Sequence, residues 1–144
     1  MISCDVNVLV YAYNEDGPRH ADYRRWLEHA ANGPEPFGLS PQVESGFVRV
    51  VTHPKVLESS LTADEAFDLL ADLRRAPAVV DMLPGSRQRA VFEELCRGTS
   101  ARGNAVPDAY LAALAIEHGC DWYSADRGFT RYRGLRYRHP LDAD

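Results

Sequence analysis

The sequence predicts an α/β protein with a mostly parallel central sheet, because short apolar runs alternate with amphipathic segments along the chain. Its 144 residues suit one domain with a substantial core, and no linker, repeat or low-complexity tract divides them. Apolar residues make up 45% and charged residues 26% of the chain, an ordinary globular composition. We therefore expect a single domain over residues 1–144.

The first elements follow from periodicity and turn signals. The apolar run ISCDV at residues 2–6 predicts a buried first strand, in which Asp5 is costly to bury unless it is paired or holds a cation. A helix is expected over about residues 20–31, because apolar residues recur there at helical spacing. After the break at GPEP, FGLS at residues 37–40 predicts a short extended segment.

Two helix starts carry capping signals. Ser40 and Pro41 fit an N-cap and a first helical position, so a helix should run from there to near His53. TADE at residues 62–65 is a capping box that starts another helix. The buried face of that helix is expected to contain Phe67, Leu70 and Ala71.

The second half of the chain predicts further strands and helices. AVVDML at residues 78–83 is a strand candidate, and Ser86 should begin the next helix. PDAYLAALAIEHG at residues 107–119 is the clearest helix, with Pro near its start and Gly at its end. CDWYSAD at residues 120–126 predicts a strand leading into a turn, and LRYRHPL at residues 135–141 predicts a final edge strand.

Composition disfavours several classes of protein. No apolar run approaches the roughly 20 residues that span a bilayer, and the first residues do not resemble a secretory signal, so we expect no membrane association. Three cysteines are an odd number without close spacing, which fits neither a disulfide framework nor a zinc site and indicates a reducing, cytoplasmic environment. The net charge of −5 is unusual for a nucleic-acid-binding protein.

Four acids stand in positions that a simple surface role does not explain. Asp5 ends the first predicted strand and Asp126 ends CDWYSAD, and ligands of parallel sheets bind outside the carboxyl ends of strands. Glu44 and Asp108 each lie in the first turn of a predicted helix and share a face with apolar residues. We therefore expect the four carboxylates to point inward.

Each acid alone has a simpler explanation. Glu44 or Asp108 could serve only the positive end of a helix dipole, worth about 0.3–1 kcal/mol, and Asp126 could be a turn residue. Together, however, such acids would repel one another, since two like charges about 4 Å apart cost roughly 4 kcal/mol at an effective dielectric of about 20. Hard oxygen ligands suit Mg²⁺ or Mn²⁺, which assist phosphodiester hydrolysis.

Four segments carry these acids in order along the chain: DVNVLVYA, PQVESGFVRVVTHPKV, GNAVPDAYLAALAIEHG and SADRGF. Together they resemble a PIN-domain ribonuclease and, more closely, the VapC toxins of bacterial type II toxin–antitoxin pairs, and the resemblance covers nearly the whole chain. It implies a three-layer α/β/α fold, Mg²⁺- or Mn²⁺-dependent endoribonuclease activity, a homodimer, and a cognate VapB-type antitoxin that blocks the site.

The resemblance also implies roles for individual residues. The metal-binding acids of the family fall on Asp5, Glu44, Asp108 and Asp126. Asn7 and Ser124 match polar residues that would orient carboxylates or water. The chain departs from the family at Gly128, where many members carry a further acid. We therefore expect one well-held ion, with any second ion brought by RNA phosphate.

The C-terminal stretch RYRGLRYRH offers candidate RNA contacts, because arginine can hold phosphates and tyrosine can stack on bases. Arg131 and Arg133 are the candidates, and a solvated edge strand with alternating arginine is the competing interpretation. Arg74 and Arg75 are interpreted as ordinary helix surface. The sequence does not indicate which RNA would be cut.

Other functions have sequence requirements that can be compared with this chain. A haloacid-dehalogenase-type phosphatase would need a DxD motif where Asn7 stands, and a receiver domain would need an early acid pair. A catalytically degenerate PIN-like module, binding RNA or a partner protein without cleavage, stays open because of Gly128. Metal-dependent turnover distinguishes this alternative from a nuclease.

Overall fold

The computed structural model describes residues 1–143, in which five short strands form one sheet. The strands are β1 (Ile2–Cys4), β2 (Phe37–Leu39), β3 (Val79–Asp81), β4 (Asp121–Tyr123) and β5 (Arg136–Arg138). Their spatial order is β3-β2-β1-β4-β5, and each neighbouring pair is parallel. The prediction of a mostly parallel sheet, with the strand near residues 135–141 at its edge, is confirmed.

Helices cover both faces of the sheet. They are α1 (Val6–Tyr13), α2 (His20–Asn32), α3 (Pro41–Val51), α4 (Ala63–Arg74), α5 (Gln88–Thr99) and α6 (Ala105–Glu117). The chain moves from β1 to β3 in one direction across the sheet and returns to β4, so right-handed crossovers put α1–α4 on one face and α5–α6 on the other. Contacts among α1, α2, α3 and α4, and between α5 and α6, agree with this three-layer α/β/α arrangement.

The predicted capping signals are confirmed. The Ser40 hydroxyl accepts the backbone N–H of Val43 at 3.2 Å and starts α3. Thr62 and Glu65 form both hydrogen bonds of a capping box at the start of α4. These caps satisfy N–H groups that have no partner inside their helices.

The first predicted strand is shorter than expected, and a helix follows it. Strand β1 ends at Cys4, and Asp5 caps α1 by accepting the N–H of Val6 at 2.8 Å. The run VNVLVYAY was not predicted as a helix, since valine is a strand former and eight residues show little periodicity. Asp5 therefore lies between a strand end and a helix start.

Two other predictions need correction. Leu70 is buried in α4 as expected, but Phe67 and Ala71 are exposed, and Ala66 and Leu73 are the other buried residues of this helix. Ser86 does not begin a helix, because the Glu117 carboxylate accepts the N–H groups of Gly85 and Arg87 and holds this segment as a turn before α5.

The core fills the space between the sheet and both helical layers. Its largest fully buried side chains are Trp122, Phe37, Phe47 and Phe129. The three cysteines are free thiols, as predicted. Among residues 1–143, no helix has the length and apolar character needed to cross a membrane.

Candidate active site at the carboxyl edge of the sheet

Asp5 is the most buried acid at this edge, with 8% of its surface exposed. One carboxylate oxygen accepts the Val6 N–H at 2.8 Å. The other accepts the Ser124 hydroxyl at 2.8 Å and the Asn7 side-chain amide at 3.1 Å. The carboxylate is therefore held in one orientation by its own helix start and by the loop after β4.

Asn7 and Ser124 extend this network to the loop that carries Asp126. The Asn7 amide donates to the Ser124 hydroxyl at 3.1 Å, and the Asn7 carbonyl accepts the N–H of Ala125 at 3.2 Å. The Ser124 hydroxyl also accepts the N–H of Asp126 at 3.0 Å. Both residues that the sequence placed beside the acids thus contact them directly or fix the backbone that carries them.

The carboxylates at this edge influence one another electrostatically. The pKa of Asp5 is raised from 3.8 to about 6, mainly by burial and in addition by the negative charges of Asp108 and Asp126. The hydrogen bonds from Ser124 and Val6 act in the opposite direction. A cation bound here would therefore offset the repulsion among these carboxylates and the cost of burying the ionised Asp5 side chain.

Asp108 lies in the first turn of α6 and is half-buried. Burial raises its pKa, Arg131 lowers it, and Asp126 raises it. The Arg131 guanidinium lies 3.3 Å from the Asp108 carboxylate and packs 4.8 Å from the centre of the Tyr132 ring. Arg131 is therefore the positive group beside these acids.

Asp126 starts a short 3₁₀ turn at Arg127–Arg131. Its carboxylate accepts the N–H of Gly128 at 2.8 Å. A Cβ atom at Gly128 would lie 2.9 Å from this carboxylate and 3.1 Å from the Arg131 guanidinium. The turn thus leaves no room for a side chain at residue 128 unless these groups shift.

Glu44 has a different partner. Its side chain is largely covered, at 17% exposure, but its carboxylate pairs with Arg74 of α4, and Arg74 also binds Asp81 at the end of β3. The interpretation of Arg74 as ordinary helix surface was wrong, because its partners lie on two other elements of the fold. Asp5, Asp108 and Asp126 therefore form one electrostatic group, and the Glu44 carboxylate is directed to Arg74.

Among residues 1–143, no three or more His, Cys, Asp or Glu side chains are arranged around a common point as metal ligands. The carboxylates do not converge because each is turned toward a partner of its own. The four partners are Ser124, Gly128, Arg74 and Arg131, which bind Asp5, Asp126, Glu44 and Asp108 respectively. The donor chemistry nevertheless suits a hard cation, since the set consists of carboxylate oxygens in a region of excess negative charge.

Sequence reasoning missed several contacts at this edge. Asp81 is the last residue of β3, a position comparable with that of Asp5 after β1. Applying the same strand-end rule to AVVDML would have identified Asp81 as a candidate residue of this edge. The Gln42 amide donates to the Tyr110 hydroxyl at 3.1 Å and so connects α3 to α6 near their acidic first turns. No pattern in the sequence indicates a pair 68 residues apart.

The two candidate RNA contacts differ in their placement. Arg131 lies against Asp108. Arg133 is exposed and makes no hydrogen bond or ion pair with any residue from 1 to 143. Only Arg131 is thus brought to the acids.

Comparison with known proteins gives a consistent result. The PIN domain family model matches residues 2–135. Ribonuclease VapC43 of Mycobacterium tuberculosis is 47% identical over 142 residues, which cover 99% of this chain and 97% of that protein. Ribonuclease VapC25 of the same organism is 32% identical over 140 residues, covering 97% of this chain and 99% of that protein.

Solved structures agree with the fold. The crystal structure of VapBC2 from Rickettsia felis, bound to a DNA fragment from its promoter, matches with a TM-score of 0.70 and 19% sequence identity. The match covers 96% of this chain and 98% of that one. With a family model over most of the chain and nearly full-length relatives at 47% and 32% identity, the chain belongs to the PIN-domain family and, within it, to the VapC ribonucleases.

Proposed function

We propose that this chain, as a single domain over residues 1–144, is a Mg²⁺- or Mn²⁺-dependent endoribonuclease that acts as the toxin of a toxin–antitoxin pair. The observation that carries the proposal is the group formed by Asp5, Asp108 and Asp126, whose negative charges act on one another at the carboxyl edge of a PIN fold. The relatives named ribonucleases support the reaction class.

Four carboxylates would hold the metal: Asp5, Glu44, Asp108 and Asp126. A bound divalent ion supplies charge for the scissile phosphate and lowers the pKa of a water molecule. Ser124 and Asn7 keep the Asp5 carboxylate aimed at the site. Since each carboxylate oxygen can accept about two bonds, the Asp5 oxygen facing Val6 still has room for a further partner.

Arg131 would bind the RNA backbone. Its guanidinium lies beside Asp108 and is steadied by the Tyr132 ring, so it is already at the edge where a phosphate must approach. Arg133, which has no partner within residues 1–143, is a second candidate for a phosphate contact farther from the acids.

We also propose a VapB-type antitoxin as partner, a homodimeric assembly and a cytoplasmic location. The chain with this fold in the Rickettsia felis structure belongs to a VapBC complex, which supports the choice of partner. Free cysteines suit a reducing compartment. An antitoxin would block the edge that holds the acids.

A second candidate is a PIN-like module that binds RNA or a partner protein without cutting. Two features favour it: Gly128 stands where the family resemblance implies a further acid, and the carboxylates are not gathered around a common point within residues 1–143. Metal-dependent cleavage separates the two functions.

The test is an RNA-cleavage assay on purified, antitoxin-free protein with total cellular RNA and Mg²⁺, Mn²⁺ or EDTA. Asp108→Ala should abolish cleavage. Asp64→Ala is the matched control, because Asp64 also lies in the first turn of a helix but is exposed. Discrete fragments that require metal and Asp108 would support the nuclease, and intact RNA under every condition would favour the binding module.

A further inference from the structure

Arg74 connects three elements of the fold at the edge that carries the acids. It lies in the last turn of α4. Its guanidinium binds both carboxylate oxygens of Glu44, in the first turn of α3, and binds Asp81 at 2.6 Å, at the end of β3. These contacts raise the pKa of Arg74, with the Glu44 hydrogen bond as the main cause.

The neighbouring Arg75, the C-cap residue of α4, shows what an ordinary surface pair looks like. Arg75 pairs with Asp72 three residues away, and both side chains are about 70% exposed. Arg74 instead reaches a carboxylate 30 residues away that is only 17% exposed. The two neighbouring arginines at the end of α4 can therefore be compared directly.

The Glu44 carboxylate faces two possible cationic partners. Arginine stays protonated, and its planar guanidinium matches a carboxylate through two parallel hydrogen bonds. Metal ligation by Glu44 would use the same oxygen atoms and would bring a divalent charge near the guanidinium. Arg74 and a divalent ion must therefore compete for Glu44.

Asp81 gives the guanidinium a second anchor. Asp81 accepts from Nη1, whereas Glu44 accepts from Nε and Nη2, so the contact with Asp81 can persist after Glu44 has turned away. A guanidinium has five N–H donors, and release of Glu44 would free at least two of them at the carboxyl edge of the sheet. An RNA phosphate approaching the metal would meet these donors.

We propose that Arg74 is a further RNA-binding residue of this site, which pairs with Glu44 in the metal-free protein and passes to an RNA phosphate when Glu44 ligates a divalent ion. Asp81 keeps the guanidinium at the edge during this exchange. The inference rests on the proposed nuclease function and adds a substrate contact to it.

The first readout is Mn²⁺ binding to RNA-free protein, measured by titration calorimetry. Arg74→Ala removes the competing cation, so it should bind Mn²⁺ about fivefold more tightly than the wild type, given the modest strength of a partly exposed ion pair. Arg75→Ala should leave the affinity unchanged. Arg74→Lys keeps the charge and should stay near the wild-type affinity, which controls for a folding defect in the alanine variant.

The second readout is the KM for RNA and its dependence on salt. Loss of one phosphate contact should raise the KM of Arg74→Ala about tenfold and reduce the slope of log KM against log salt by about 1. Arg74→Lys should also show a raised KM, because an ammonium cannot reproduce the forked contact. Arg75→Ala should match the wild type in both quantities.

The outcomes separate this inference from the function on which it rests. Wild-type protein that binds Mn²⁺ and cuts RNA, together with Arg74→Ala of unchanged or weaker Mn²⁺ affinity, overturns the inference alone. An unchanged KM in Arg74→Ala does the same. Wild-type protein that neither binds Mn²⁺ nor cuts RNA overturns both proposals.

Discussion

Ser124 and Asp5 are 119 residues apart in the chain, yet the serine hydroxyl donates a 2.8 Å hydrogen bond to the aspartate carboxylate. They meet because β1 and β4 are neighbours and each residue directly follows its strand. The same hydroxyl accepts the N–H of Asp126 at 3.0 Å. One serine thus joins two acid-bearing loops and sets the orientation of the Asp5 carboxylate.

Ser124→Ala should therefore impair the site more than the fold. Loss of a residue that orients a ligand reduces metal affinity or activity by roughly 10–100-fold. We expect a drop of this size in kcat/KM and weaker Mn²⁺ binding, with a modest change in Tm. Ser86→Ala, at an exposed turn, is the control. Wild-type activity in Ser124→Ala would show that the hydroxyl does not orient Asp5 for catalysis.

Asp5 should make the metal-free protein less stable as the pH rises. Its pKa is raised from 3.8 to about 6, so between these values the folded state keeps a proton that the unfolded state has lost. The contribution to the free energy of unfolding then falls by about 3 kcal/mol from about pH 4 to above pH 6. Asp5→Asn should lack this decline and should not cleave RNA.

Urea denaturation in EDTA at several pH values measures this effect. The difference in the free energy of unfolding, Asp5→Asn minus wild type, should grow with pH through this window and level off above it. A constant difference would mean that the pKa of Asp5 in the folded protein is ordinary, and would remove the electrostatic cost that we assign to the site.

The contact of α3 with α1 depends on Gly46. A Cβ atom there would lie 2.5 Å from a methyl group of Val6, whose side chain is stiff because it is β-branched. Gly46→Ala should lower the free energy of unfolding by about 1–3 kcal/mol through overpacking. Gly98→Ala is the matched control, since it meets no atom within 4 Å in α5 and should gain about 0.5–1 kcal/mol. Thermal denaturation of both variants measures the contrast, and equal Tm values would contradict it.

Arg131 and Arg133 should contribute unequally to RNA cleavage. Arg131 pairs with Asp108 and lowers its pKa, so Arg131→Ala should raise that pKa and remove a phosphate contact. We expect a KM about tenfold higher and an acidic limb of the pH–rate profile moved to higher pH. Arg133→Ala should change the KM less and leave the profile in place. A larger rise in KM for Arg133→Ala than for Arg131→Ala would instead place the phosphate contact away from the acids.

The alternation of strands and helices was enough to predict the sheet and its layers, whereas helix α1 was missed. Its residues Val6, Val8 and Val10 favour strands, and the helix forms because Asp5 caps it and its apolar side chains pack into the core. Packing of this kind overrides local propensity. The buried face of α4 was predicted only in part, because it depends on how α4 packs against α3 and β3, which the capping box does not indicate.

The positions of the acids followed from topology, but their partners did not. Strand ends and helix starts can be located in a sequence, so Asp5, Asp108 and Asp126 could be expected at one edge. The pairing of Glu44 with Arg74 depends on how α3 and α4 lie against each other, and a separation of 30 residues carries no pattern. Gly128 is understood only from the turn in which its N–H binds Asp126.

The central claim is that these carboxylates hold one divalent ion. Anomalous diffraction from crystals of the protein soaked in Mn²⁺ tests it most directly. The account predicts one strong peak at the carboxyl edge of the sheet, with oxygen atoms of Asp5 and Asp108 about 2.0–2.3 Å away. Two results would contradict this claim: crystals that bind Mn²⁺ elsewhere but show no peak at this edge, or a peak whose ion is not bound by the Asp5 carboxylate.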